Sequence, residues 1–300
     1  AQAALEREIA ETRHQAMAVK MVYEEALDEE VAKREDLERR EQIATNELQL
    51  AADVQRTLLP PNVHRNDVEV AVRQIPTQFV GGDYLNAAVI NNRYLYLVVG
   101  DVSGHGVAAA LVVARVHGLI RRLTFARRSR PATILDRVNR AALQLFKHTY
   151  FFMTMGVFRL DLQTGKLRYA TAGHPAQALL RNDGTVELLR TRNRLLGIDA
   201  DIFDSEQPSA IVQMEPGDSL VLFTDGLFEI LSQADGNPLD DDEFYNRIAA
   251  MKGLTPQLMA GEILQELADF QGSSTFDDDV SLLVATYRGR REPPELGTLR

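Results

Sequence analysis

The sequence predicts an α+β domain led by one long helix, on three observations. Residues 1–59 contain neither Gly nor Pro and are rich in Ala, Glu, Arg, Leu and Gln, all strong helix formers. Beyond them, short apolar runs are separated by turn residues, the pattern of strands. The remaining helical patterns fall into two groups instead of one between every pair of strands, which favours a layered antiparallel architecture over alternating βαβ units.

A heptad frame fits the leading helix at Leu5, Ile9, Thr12, Ala16, Val19, Tyr23 and Ala26. It fails at Glu30 and Lys33 and recovers in part at Leu37, Ala44, Ala51, Val54 and Leu58, so a short coiled coil with a break near residues 28–41 is expected. Pro60-Pro61 ends the helix, since proline lacks the amide donor and restricts the residue before it.

Val68–Ile75 alternates as a strand, with Val68, Val70 and Val72 on one face. The run from Leu95 to Gly100 reads as a buried strand. Residues 107–125 and 131–147 have helical spacing, the second opening on Pro131. Strands follow over 151–162, 166–172, 177–180, 185–189 and 220–223, with Gly165, Gly173, Gly184 and Gly217 in the turns. Helices over 242–251 and 256–270 and a strand over 280–286 complete the domain, and residues 289–300 read as a polar tail. The resulting division is a helical linker at 1–59, a globular domain at 60–288 and the tail.

Composition narrows the chemistry. The chain has no Cys, which excludes disulfides, thiolate metal sites and a cysteine nucleophile, and fits a reducing, cytoplasmic setting. The formal net charge is −10, which disfavours nucleic acid as a partner. No apolar run is long enough to span a bilayer, and no secretory signal opens the chain. The opening Ala1 reads as the start of a fragment cut from a longer protein.

Four segments each place an Asp at a strand end or tight turn: Gly81-Gly82-Asp83-Tyr84, Gly100-Asp101-Val102-Ser103-Gly104-His105-Gly106, Thr224-Asp225-Gly226 and Asp277-Asp278-Asp279-Val280-Ser281. One such Asp is ordinary turn chemistry. Several strand ends meeting at one sheet edge would instead cluster carboxylates that repel one another, and a cation relieves that repulsion. Oxygen-only donors select hard ions such as Mg²⁺ or Mn²⁺, and a pair of them can drive hydrolysis without a protein nucleophile. Gly81, Gly82, Gly104 and Gly106 let the backbone approach such ions closely. His105 reads either as a phosphate contact or general acid or as a structural hydrogen bond in its Gly-His-Gly turn; His174 reads as fixing a turn.

Taken in order, these segments together with Ala172-Gly173-His174-Pro175 resemble the metal-dependent protein phosphatase (PPM) superfamily, in its bacterial branch typified by SpoIIE and RsbU. The segment from Val54 to Pro60 is similar to one that leads into such domains, and the resemblance runs over roughly residues 55–288. It implies paired antiparallel sheets between helix layers (αββα). It also implies two Mn²⁺ or Mg²⁺ ions held by Asp83, Asp101, Asp225, Asp278 and the backbone carbonyl of Val102, with Asp83 between the ions. The implied activity is hydrolysis of phosphoserine or phosphothreonine on a protein substrate, typically a STAS-type anti-anti-sigma factor. The leading helix, as a parallel coiled coil, suggests a homodimer that passes a signal from an upstream sensor or receiver domain. A pseudophosphatase that binds without hydrolysing is the alternative, and a metal-dependent nuclease or cyclic-nucleotide hydrolase a third reading. Eukaryotic relatives bind phosphate with an Arg on an early strand; Arg73 is the nearest candidate here and reads as a surface charge.

Overall fold

A computed structural model describes residues 2–127, 129–147, 151–203, 208–227, 229–276 and 278–289. The chain divides into two compact units, residues 1–50 and 51–300. The tail expected from residue 289 lies, beyond Gly289, outside the described residues, as do the side chains of heptad positions Leu5 and Ile9.

The first unit is helical. Helix α1 (Gln2–Arg56) is continuous and carries its last turn into the second unit. The heptad failure at Glu30 and Lys33 interrupts the apolar seam and not the helix, because charged residues with high helix propensity continue it in solvent. Met17, Val19, Tyr23, Leu27 and Val31 are exposed along it.

The second unit holds the strands β1 (Val63–His64), β2 (Val68–Ile75), β3 (Asp83–Ile90) and β4 (Tyr94–Val102), followed by the helices α2 (Val107–Arg127) and α3 (Pro131–Leu145). Strands β5 (Met153–Asp161), β6 (Lys166–Ala172), β7 (Gln177–Leu180), β8 (Val186–Leu189), β9 (Ala210–Gln213) and β10 (Ser219–Phe223) come next. Helices α4 (Asp241–Ala250) and α5 (Pro256–Gln271) precede the last strand, β11 (Val280–Tyr287). Local chemistry sets several of these ends. Asp240 caps α4 by accepting from the amides of Asp242 and Glu243, and α5 runs from a Thr255 cap with Pro256 in its first turn to a left-handed Gly272.

All pairings are antiparallel, in two sheets ordered β1-β2-β11-β10-β7-β8 and β3-β4-β5-β6-β9. Three apolar layers hold them. Leu97, Phe158, Leu222 and Leu283 pack between the sheets. Ile120 and Val138 of α2 and α3 pack on Val98 and Val157 of the five-stranded sheet. Phe244 and Ile263 of α4 and α5 pack on Val221 and Leu282 of the six-stranded sheet. Burying each such side chain contributes about 1.5–3 kcal/mol. The αββα arrangement agrees with the expected fold class.

Strand β2 is buried on both faces at its centre: Ala71 is as buried as Val70, because helices cover the outer face of its sheet. Strand β3, which carries Asp83, had no strand signal, and neither had β1 or β9. Its sequence, Asp-Tyr-Leu-Asn-Ala-Ala-Val-Ile, does not alternate, since both its faces are covered.

Candidate metal centre

The site is built at one end of the space between the sheets. Asp83 opens β3 and lies directly opposite Asp101 of β4, which in turn lies opposite Thr154 of β5. Directly paired residues share a face. Alternation along β3 and β4 puts both carboxylates on the side of Leu85, Leu97 and Val99, the inter-sheet face, where the apolar layer ends. The six-stranded sheet brings the other half. Asp225 follows β10 after Thr224, and Asp278 and Asp279 precede β11.

Hydrogen bonds join the halves. Thr224 Oγ1 donates to Asp83 Oδ2 at 2.8 Å and accepts from the Ser281 amide at 3.1 Å. Ser281 Oγ accepts from Gln74 at 3.0 Å. Asp83, only 4% exposed, is therefore held from across the sandwich.

Asp279 has a role that the sequence did not reveal. It is buried, and Oδ1 accepts from the Thr77 amide and hydroxyl, both at 2.9 Å, while Oδ2 accepts from the Gly82 amide at 3.2 Å. It ties down the loop that presents Asp83, while the exposed Asp278 accepts from the Asp279 amide through Oδ1 at 2.7 Å. A Cβ on Gly81 would lie 1.8 Å from Asp279 Oδ2, and one on Gly226 would lie 2.3 Å from the Asp279 carbonyl. These glycines are required by close approach. Gln55, in the last turn of α1, grips the same loop from its other side: Nε2 donates to the Gly81 carbonyl at 2.8 Å, and Oε1 accepts from the Gly81 amide at 3.1 Å.

The electrostatics of the four carboxylates are coupled. Burial, then the neighbouring charge of Asp101, raises Asp83 well above the usual carboxylate range. Burial, followed by the charges of Asp225, Asp278 and Asp279, pushes Asp101 up to about 7. Asp225 is raised by burial and then by Asp278. Mutual repulsion of this kind is what a bound cation relieves. Among the described residues no three acidic or His side chains enclose a single point closely enough for one ion as they stand. Placement and donor chemistry nonetheless fit a hard divalent cation, with Asp278 exposed and Asp101 and Asp225 half-buried. The Val102 carbonyl faces the same loop, 2.5 Å from where a Cβ on Gly82 would stand.

The histidines separate. His105 Nδ1 lies 3.2 Å from Gln78 Nε2 in an exposed loop. His174 is buried, with Nδ1 2.8 Å from Thr154 Oγ1 and Nε2 3.2 Å from the Phe223 carbonyl; burial lowers it to about 4, so it is neutral at pH 7. It bridges the ends of the two sheets. Arg73 donates to the Val72 carbonyl.

The sequence profile of the family described as Stage II sporulation protein E (SpoIIE) matches residues 91–288. The chain belongs to the SpoIIE family. This SpoIIE-family chain is 25% identical over 207 residues to the phosphoserine phosphatase RsbP of Bacillus subtilis, covering 65% of this chain and 50% of RsbP. It is 26% identical over 278 residues to protein IcfG of Synechocystis sp., covering 81% of this chain and 41% of IcfG. It thus spans half or less of the length of these curated relatives. Among solved structures, the RsbU and RsbW domains of Rv1364c from Mycobacterium tuberculosis are 28% identical with a TM-score of 0.66, covering 78% of this chain and 63% of that one. The SiaA-PP2C domain of Pseudomonas aeruginosa superposes with a TM-score of 0.71 at 22% identity, covering 83% and 98%, a likeness of fold.

Proposed function

We propose that this SpoIIE-family domain is a metal-dependent protein phosphatase acting on phosphoserine or phosphothreonine of a regulatory protein. The observation that carries the reading is the meeting of Asp83, Asp101 and Asp225 beside Asp278 at one end of the sandwich, the first three each raised by burial and then by a neighbouring carboxylate. Asp83, Asp101, Asp225, Asp278 and the Val102 carbonyl are the proposed ligands of two Mn²⁺ or Mg²⁺ ions. Such ions supply Lewis acidity toward a phosphoryl oxygen and a water acidic enough to react at neutral pH. The chain's own residues position the donors: Thr224 orients Asp83, while Asp279 and Gln55 hold the Gly81–Gly82 loop. No protein nucleophile is needed.

The likeness to RsbP and to an RsbU domain supports a STAS-type anti-anti-sigma factor as the substrate. The exposed apolar residues of α1 support pairing of two copies through residues 1–59, under an upstream sensor or receiver domain, with catalysis in residues 60–288. A binding-only domain is the second reading, favoured by the described carboxylates' not enclosing one ion as they stand. Phosphate release from a phosphoserine peptide, with and without Mn²⁺, tests both. Mn²⁺-dependent turnover that Asp225→Ala abolishes is expected. The absence of both turnover and Mn²⁺ binding by calorimetry would establish the binding-only domain instead.

A further inference from the structure

A cleft of about 770 Å³ opens beside the carboxylates, with Asp225, Thr154 and His174 in its lining. Two cations, Arg190 and Arg192, line it as well. Both follow β8, both are exposed, and the residue between them, Thr191, is buried. Thr191 is clamped to Thr171 of β6: each threonine's amide donates to the other's hydroxyl, at 2.9 and 2.8 Å, and Thr191 Oγ1 donates to the Thr171 carbonyl at 3.0 Å. Asn193 adds a hydrogen bond to Thr191 Oγ1 at 2.9 Å. The backbone that carries the two arginines is therefore fixed, and only their side chains are free.

Among the described residues neither Arg190 nor Arg192 makes a hydrogen bond or an ion pair, although Glu229 and Asp241 line the same cleft. By contrast, Arg181, Arg194 and Arg247 each hold a carboxylate. In a chain of net charge −10, two unpaired guanidinium groups next to a carboxylate cluster form a local anion-attracting wall. A guanidinium offers a planar fork that matches two oxygens of a phosphoryl or carboxylate group.

We propose that Arg190 and Arg192 form the anion-binding wall of the substrate cleft and select phosphoprotein segments whose anionic oxygens reach them beside Asp225. This rests on the phosphatase reading for the reaction but not for the binding. The oxygens come either from the phosphoryl group or from acidic residues flanking the phosphoserine, and both present the same chemistry.

Three probes separate these sources: p-nitrophenyl phosphate, a phosphoserine peptide flanked by Ala and one flanked by Glu. Each is assayed with Mn²⁺ on the full chain and on R190Q/R192Q, and binding of the labelled peptides is followed by fluorescence anisotropy. KM and Kd for the Glu-flanked peptide are expected to rise about 10-fold or more in the variant, as loss of a charge-assisted pair implies. A loss confined to that peptide assigns the contact to flanking carboxylates; a parallel loss on all three probes assigns it to the phosphoryl group. R190E/R192E is expected to reverse the preference toward a Lys-flanked peptide, which a merely structural role would not do. Unaltered KM and Kd on every probe, or no binding of either peptide to the unaltered protein, overturns the proposal. If the peptides bind without turnover, the catalytic reading fails, and the anisotropy difference still decides the role of the wall.

Discussion

Asp101, a proposed metal ligand, sets its proposed role against the stability of the fold. Its folded pKa of about 7 lies above the ordinary 3.8, so the native state holds the extra proton between these values. The metal-free domain accordingly loses stability as pH rises through that window. Asp101→Asn removes the burden and is expected to stabilise the metal-free domain by on the order of 2–4 kcal/mol at pH 8, with little effect near pH 4, while abolishing turnover. Urea denaturation in a chelator at the two pH values measures this; an equal effect at both would refute it. Asp279 represents the opposite case. Asp279→Asn sets an amide group against the donors of Thr77 or Gly82 and should cost about 2 kcal/mol, with weaker Mn²⁺ binding although Asp279 is not a proposed ligand. Calorimetry on the folded variant checks the second part.

At the scale of elements, the end of α1 matters more to the site than its length. Gln55 reaches Gly81 from the last turn, and Ala52 is buried in the second unit, whereas Met17, Val19, Tyr23, Leu27 and Val31 of the first unit are exposed. Deleting residues 1–50 should leave the melting temperature of the second unit within a few degrees, because the deleted side chains bury little. The same deletion should change the oligomeric state seen by light scattering if α1 pairs two copies. An unchanged mass would remove the helix from the assembly.

On the scale of the whole molecule, two sheets are held together by apolar layers while their ends bring like charges together. A ligand that binds only the folded arrangement stabilises it by about 2.7 kcal/mol at 100 times its Kd. Mn²⁺ is therefore expected to raise the melting temperature by several degrees, and Asp101→Asn or Asp225→Ala to abolish the shift. A shift of equal size in both variants would place the ion elsewhere.

Much of this was legible in the residues. The Gly- and Pro-free run determined a helix, the apolar runs and turn glycines determined most strands, and the four Asp-bearing segments named the cluster, because each signal is local. Strand β3 was not legible, since burial on both faces erases the alternation by which a strand is read. Asp279 and Gln55 were not legible either. Their partners lie 197 and 26 residues away along the chain, and no local pattern encodes such a pairing. Arg190 and Arg192 carried no signal at all in a chain with 33 basic residues. The sequence by itself determined which segments bring an Asp to a strand end. Only the tertiary structure decided which stand together, because strand register and the packing of one sheet on the other set the distances on which coordination and charge coupling depend.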